Sequence, residues 1–344
     1  MALKLGLQTG YWSAGPPDGV TDQIAAAEAL GFESVWTAEA YGSDALTPLA
    51  WWGSRTSQIK LGTAIVQMSA RTPSATAMAA MTMDHLSGGR FILGIGASGP
   101  QVVEGWYGED YRKPLERTRE YVSILRSIWH REAPVIFSGN QYNLPFMGGT
   151  GLGKPLKSTV HPLRADIPIY LGAEGPKNVA LAAEICDGWL PLFFSPSQDT
   201  WYRDCLRAGF AARTDGKGAD SFEVAATVQV IIDDDVERAA DRIRPYLALY
   251  MGGMGAKGQN FHFDVFARMG YEDVAVKVQE LYLQGRKNEA IASIPTSLVE
   301  EVSLIGPEAK IAEDLTKWED TCLTTLLLSG PPTLLRKVAE LVGA

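Results

Sequence analysis

Cysteine is scarce. Cys186, Cys205 and Cys322 stand far apart in 344 residues, with no Cys-x-x-Cys pair, a spacing that excludes a disulfide framework and a zinc knuckle. The four histidines, His85, His130, His161 and His262, are too dispersed to mark a metal site, so no metal is expected. No run approaches the roughly 18 uninterrupted apolar residues of a membrane span. The opening MALKLGLQTG also lacks the long apolar stretch of a secretory leader. The expected setting is the cytoplasm, whose reducing conditions suit unpaired thiols. Basic charge is in deficit, with 31 Lys and Arg against 40 Asp and Glu and a formal net charge of -9. A broad nucleic-acid surface needs the opposite balance. An anionic ligand must then be held locally, by backbone dipoles and a few placed cations.

What is present is an ordinary globular composition, 46% hydrophobic and 21% charged, in which short β-rich runs alternate with amphipathic helical stretches. Strands are predicted at 3 to 9, 33 to 37, 59 to 66, over GRFILGIG, at 167 to 172, 187 to 193, 222 to 232 and 322 to 329. Helices fall between them, one opened by Pro73 and one ending near His130; DVERAADRIRPYLALYM reads as a single helix with Pro245 as its kink. Eight such units predict a single α/β domain, a (β/α)8 TIM barrel, with insertions after strands 4 and 7 at approximately 131–166 and 252–303. A doubly wound sheet is the rival. It lacks support, because the first strand runs into GYWSAGPPDG and not a G-x-G-x-x-G turn.

The stretch from Ile167 to Asn178, IPIYLGAEGPKN, carries the most chemistry. A strand ends there in a glycine-marked turn that opens directly into a helix, aiming backbone N–H groups and the positive end of a helix dipole at one spot. Lys177 adds a full charge, and the spot suits a phosphate. An ordinary strand-to-helix turn is the plainer alternative. In a barrel the active site forms at the carboxyl ends of the strands, which singles out Tyr11, Trp12, Glu39, Tyr41, Ala64 to Gln67, Ser98 to Gln101 and GAEGPKN. Aromatic walls, small residues and one acid suit a flat, anionic, conjugated ligand better than a metal cluster.

Taken in order, VWTAEAYGSD, LGTAIV, DHLSGGRFILGIGASGPQV, YLGAEGPKN and DGWLPLFFSP resemble the bacterial-luciferase-like flavin and deazaflavin oxidoreductases. Within that superfamily the chain is most similar to the coenzyme F420-dependent branch, relatives of methylenetetrahydromethanopterin reductase. The resemblance implies a cofactor lying across the strand ends, its phosphate held by Gly172, Ala173, Glu174, Gly175, Pro176, Lys177 and Asn178. Its ring would rest near Thr63, Ala64 and Ile65, where relatives carry a cis peptide at a bulge, with Ser98 and Gly99 close by. Glu39 occupies the place of an acid beside the ring and is the candidate catalytic residue, either hydrogen-bonding cofactor or donating a proton. Tyr11, Trp12, Tyr41 and Gln67 are the candidate substrate pocket. The chain departs from relatives at Ala40, where several have histidine, and in GASGPQV, which lacks a second acid. No pair of catalytic carboxylates follows.

The resemblance further implies hydride transfer between coenzyme F420 and a small organic substrate, in a homodimer. Lys154, Lys157 and Arg164 are candidates to meet the acidic oligoglutamate tail of the deazaflavin, or form a solvated surface cluster. Two rivals stay open: an FMN-dependent monooxygenase on the same barrel, and a barrel that binds flavin or deazaflavin without turnover.

Overall fold

In the computed structural model, which describes residues 3–255 and 260–343, eight parallel strands close into a barrel. They are β1 Lys4–Gln8, β2 Ser34–Thr37, β3 Lys60–Thr63, β4 Phe91–Gly96, β5 Ile169–Gly172, β6 Gly188–Leu190, β7 Glu223–Thr227 and β8 Thr325–Leu328. Each pairs with its neighbours in chain order, and β8 returns to β1 with Leu5 opposite Leu326. The barrel interior is packed by Trp36, Ile92, Tyr170, Leu190, Ala225 and Leu327, so it is a core and not a pore.

Eight helices form the outer ring: α1 Val20–Ala29, α2 Leu46–Gly53, α3 Pro73–Ser87, α4 Pro114–His130, α5 Pro176–Ile185, α6 Asp199–Ala212, α7 Glu308–Glu319 and α8 Pro332–Val342. Their start and stop signals are local. In α3 the hydroxyl of Thr72 accepts from the amide of Ala75 at 3.2 Å, Pro73 opens the first turn, and Gly88 ends it at φ 66 in the left-handed region. Helix α4 places Tyr121, Ile124, Leu125 and Ile128 on one buried stripe against the strands.

Three sequence expectations change. The third strand does not run on to residue 66; β3 stops at Thr63, the Ala64–Ile65 peptide is cis as the resemblance implied, and Val66–Gln67 then pairs with β4 as a separate piece. The seventh run also divides. Only Glu223–Thr227 belongs to the barrel, while Gln229–Ile232 pairs in parallel with Ser303–Gly306, a strand the sequence reading did not separate from its surroundings. The long helix after it is two, Val236–Asp241 and Arg244–Gly252, and Pro245 sits in the first turn of the second instead of kinking one helix.

The chain therefore leaves the barrel at Val228. Between there and Gly306 it builds a helical body with its own core, in which Phe193, Met251, Phe266, Val278 and Leu298 are buried together. Between α4 and β5 lies a smaller excursion with one hairpin, Phe137–Ser138 against Asn143–Leu144. No helix among the described residues is long and apolar enough to cross a membrane.

Closure depends on close approach at Gly94, where an added Cβ would lie 1.7 Å from the carbonyl oxygen of Thr63. Gly94→Ala is expected to lower stability by about 3 kcal/mol, since backbone cannot yield there as a side chain can. Gly175→Ala is the control, because a Cβ at Gly175 meets nothing within 4 Å and its φ is -85. Urea unfolding of both variants compares them directly.

Candidate functional site

The mouth of the barrel is organised around Glu39. Its side chain is 4% exposed and both carboxylate oxygens are engaged. Oε1 accepts from the amide of Gln67 at 3.2 Å and Oε2 from the amide of Ala45 at 3.2 Å, while Nη1 of Arg71 sits 2.9 Å from each. The Glu39 amide in turn donates to the carbonyl of Ile65 at 3.2 Å. Glu39 thus fastens the loop after β2 to the chain just beyond the cis peptide. A carboxylate so committed is a positioning group. The sequence expectation that it hydrogen-bonds cofactor or donates a proton falls on a side chain whose oxygens already face Arg71 and two amides.

The neighbouring expectations divide in the same way. Thr63 is fully buried, and its hydroxyl both donates to the Gly94 carbonyl and accepts from the Gly94 amide at 2.9 Å, so it secures β4 and is not free for a ligand. Ile65 lies across the ends of β4 and β5: a Cβ on Gly96 would come within 2.8 Å of it and one on Gly172 within 3.2 Å. Ala64 and Ile65 are half-buried and form an apolar floor. Ser98 holds a left-handed φ of 59 at the end of β4, and Gly99 follows in extended backbone.

At the turn after β5, Gly175 precedes α5 with open space where a side chain would stand. The helical ladder begins with Asn178 and Val179 donating to the Gly175 carbonyl, leaving the earlier amides as helix N-termini leave them. Oδ1 of Asn178 is sealed from solvent without a partner, and Lys177 is exposed. Ala173 is anchored by the indole N–H of Trp189, which donates to its carbonyl at 2.7 Å. Glu174 points its carboxylate inward, accepting from the Leu192 amide at 2.9 Å. Burial pushes its carboxyl up to about 7, against the opposing pull of that amide and of Arg268.

Of the pocket residues, Gln67 is buried with Nε2 donating to the Glu39 carbonyl at 3.3 Å, and its Oε1 has no partner. Tyr11 has a half-exposed ring, and its hydroxyl lies within hydrogen-bonding reach of Tyr250, with Tyr246 next in line; burial raises all three phenols. Trp12 leans on Trp52 with ring centroids 6.2 Å apart, and Tyr41 is exposed beside Trp106. Lys157 and Arg164 stand elsewhere. Arg164 pairs with the buried Asp84 at 2.7 Å and caps the Phe91 carbonyl, and Lys157 donates to the Glu132 carbonyl, both away from the strand ends that form the mouth. Both contacts lie at the amino-terminal side of the barrel.

Residues the sequence reading missed are Gln8, Arg71 and Arg268. Gln8 is detectable by alternation: in KLGLQ it shares a face with Gly6, which packs against interior Leu327, and a buried amide there with Oε1 unpartnered is out of place in a core. Orphaned acceptors on Gln8, Gln67 and Asn178, the Ile65 floor and the vacant space at Gly175 together fit a flat polar ring joined to a phosphate. No cluster of metal-ligating side chains occurs among the described residues.

The luciferase-like monooxygenase family model matches residues 3–325. A Mycobacterium tuberculosis (strain H37Rv) protein provisionally named a coenzyme F420-dependent oxidoreductase is 55% identical over 343 residues, 99% of each chain. The 5,10-methylenetetrahydromethanopterin reductase of Archaeoglobus fulgidus is 28% identical over 89% of this chain and 87% of its own. Among solved structures, the coenzyme F420-dependent tetrahydromethanopterin reductase of Methanopyrus kandleri superposes with a TM-score of 0.79 at 22% identity, covering 99% and 98% of the two chains, a likeness of fold.

Two outcomes follow from this geometry. Arg71→Ala leaves Glu39 buried beside nothing but amides and is expected to lose about 3–5 kcal/mol in urea unfolding, part of it recovered by adding Glu39→Gln. Glu174 titrates higher in the folded chain than its ordinary 4.5. The stability it contributes is full below pH 4.5, falls as pH rises through about 7 and stays lowest above. Glu174→Gln should gain roughly 1–2 kcal/mol over the parent at pH 8.5, after allowance for solvent screening, and nothing at pH 4.

Proposed function

The chain belongs to the luciferase-like monooxygenase family, and from that membership we propose that it is a coenzyme F420-dependent oxidoreductase acting on a small organic substrate. The observation that carries the cofactor assignment is the 55% identity, over 99% of both chains, to a relative provisionally named for F420. The mouth supplies the fit. The turn from Gly172 to Asn178 would hold the phosphate, Ala64 and Ile65 the ring, and Gln8 and Gln67 offer acceptors for ring N–H or O–H groups.

When bound, the deazaflavin supplies a ring carbon that gives or takes hydride, which favours two-electron chemistry over oxygen activation. The chain's own residues do the rest. Glu39 and Arg71 fix the cis turn on which the ring would lie, so the reacting faces are set before substrate arrives. The helical body approaches the mouth through Phe261 near Gly99 and Tyr250 near Tyr11, where it would help exclude water from a bound ring. His262 is buried with its Nδ1 unpartnered and its ionisation pushed down to about 3 by burial, so it stays neutral there. Tyr11 presents the hydroxyl best placed to exchange a proton with substrate, in line with Tyr250 and Tyr246. The cytoplasm and the homodimer belong to the same proposal. Three free cysteines support the first, and the exposed apolar side chains Phe146, Met147, Leu152 and Leu156 the second.

Fluorescence titration with F420 and with FMN tests the reading. Binding of F420 and not FMN is expected, and Gly175→Leu should weaken it at least tenfold without lowering the unfolding midpoint, because the added side chain fills ligand space and not protein space. Protein that purifies yellow with FMN, or a Gly175→Leu variant that binds F420 as tightly as the parent, overturns it.

A further inference from the structure

Arg268 belongs to the helical body, in the turn Ala267–Tyr271 that follows Phe261–Phe266. It reaches back to the barrel. Its Nη2 donates to the carbonyl of Glu174 at 2.9 Å, and its guanidinium lies over the ring of Trp201, in the first turn of α6, 4.5 Å from the centroid. The cation is thereby held at the turn that precedes α5, beside the start of α6.

Arg71, Arg126 and Arg164, half-buried like it, each pair with a carboxylate. Among the described residues Arg268 makes no such ion pair. The nearest acid, Glu174, turns its carboxylate toward the Leu192 amide, and burial holds it partly protonated near neutrality. A guanidinium has five donors in a planar fork, and a carbonyl and an aromatic face leave most of that hydrogen-bonding capacity unused. A half-buried positive charge without a counter-ion is costly unless an anion completes it.

We propose that Arg268 is a ligand of the cofactor phosphate, so that the helical body, and not the barrel alone, completes the anion site at the turn after β5. The inference rests on the function proposed above and adds to it a residue from a separate core. The positive groups at the turn are then three: the amides ahead of α5, Lys177 and Arg268. The phosphate draws the fork from the Glu174 carbonyl or shares it, and Trp201 keeps its plane in place. Other groups facing Glu174 and Arg268 are Tyr202 from α6 and Tyr246 and Tyr250 from the helix Arg244–Gly252, all neutral phenols with raised ionisation. None competes for the guanidinium as an anion.

The test compares F420 with the ribityl deazaflavin that lacks the phosphate, titrated by fluorescence against the parent, Arg268→Ala and Arg268→Lys. Arg268→Ala should bind F420 roughly tenfold more weakly, the loss of one charge-assisted hydrogen-bonding group, with a shallower salt dependence. It should bind the phosphate-free compound within about twofold of the parent. Arg268→Lys should recover part of the F420 affinity, since charge returns without the fork. Unchanged F420 binding by Arg268→Ala overturns the inference. So does an equal loss for both compounds, which marks a role in seating the helical body, reported also by a lowered unfolding midpoint. A parent protein that binds both compounds equally refutes the phosphate turn itself, and with it this role for Arg268.

Discussion

The constraint on which the mouth depends is the burial of one carboxylate among three donors. Glu39 could not be placed 4% exposed without compensation, and Arg71 with the amides of Ala45 and Gln67 supplies it. These partners come from three chain segments: the start of α2, the piece that follows the cis peptide, and the loop before α3. Fixing them fixes Ala64 and Ile65 between β3 and β4, and Ile65 then reaches over Gly96 and Gly172. A single ion pair thus defines the floor beneath the strand ends, and the absence of side chains at those two glycines is what lets the floor lie flat.

That dependence explains what the sequence disclosed and what it withheld. Strand and helix order was legible because burial imposes period 2 on strands and a stripe on helices, and because Thr72, Pro73 and Gly88 mark their boundaries locally. The division of residues 222–232 was not, since Val224 and Val230 are equally apolar while one lies in the barrel and the other in a second sheet with Leu304. Apolar character reports burial, not the partner. The turn between β5 and α5 was legible for the opposite reason, since a strand, a glycine turn and a helix start are all local. Glu39 was found by position, but its partner Arg71 lies 32 residues on with no pattern to connect them. Arg268 is 94 residues from Glu174 and on a different core, beyond any local rule.

The helical body changes the meaning of the barrel. A TIM barrel presents its strand ends to solvent and relies on loops to enclose them. Here a packed unit touches the mouth at several places, among them Phe261 near Gly99, Tyr250 near Tyr11, and Arg268 at Glu174. These points stand over the ends of β4, β1 and β5. The unit has a core of its own, centred on Phe266 and Val278, into which Phe193 packs from the end of β6.

Electrostatics narrows the division of labour further. The titratable groups at the mouth are mostly unavailable for acid-base work: Glu39 is held by Arg71, and His262 is kept neutral by burial. The phenols of Tyr11, Tyr246 and Tyr250 are pushed away from ionisation by the same burial, so they exchange protons only as neutral donors in a chain. Glu174 alone among these is brought to about 7, and it sits at the anion turn and not over the floor. A site so arranged has little capacity to activate a substrate by proton removal. It has a flat floor, unmatched acceptors and a cationic turn, which under the proposed function would orient a ring that carries its own reactivity. On that proposal the chemistry would be delegated to the ligand, and the protein's part would be to hold that ligand still.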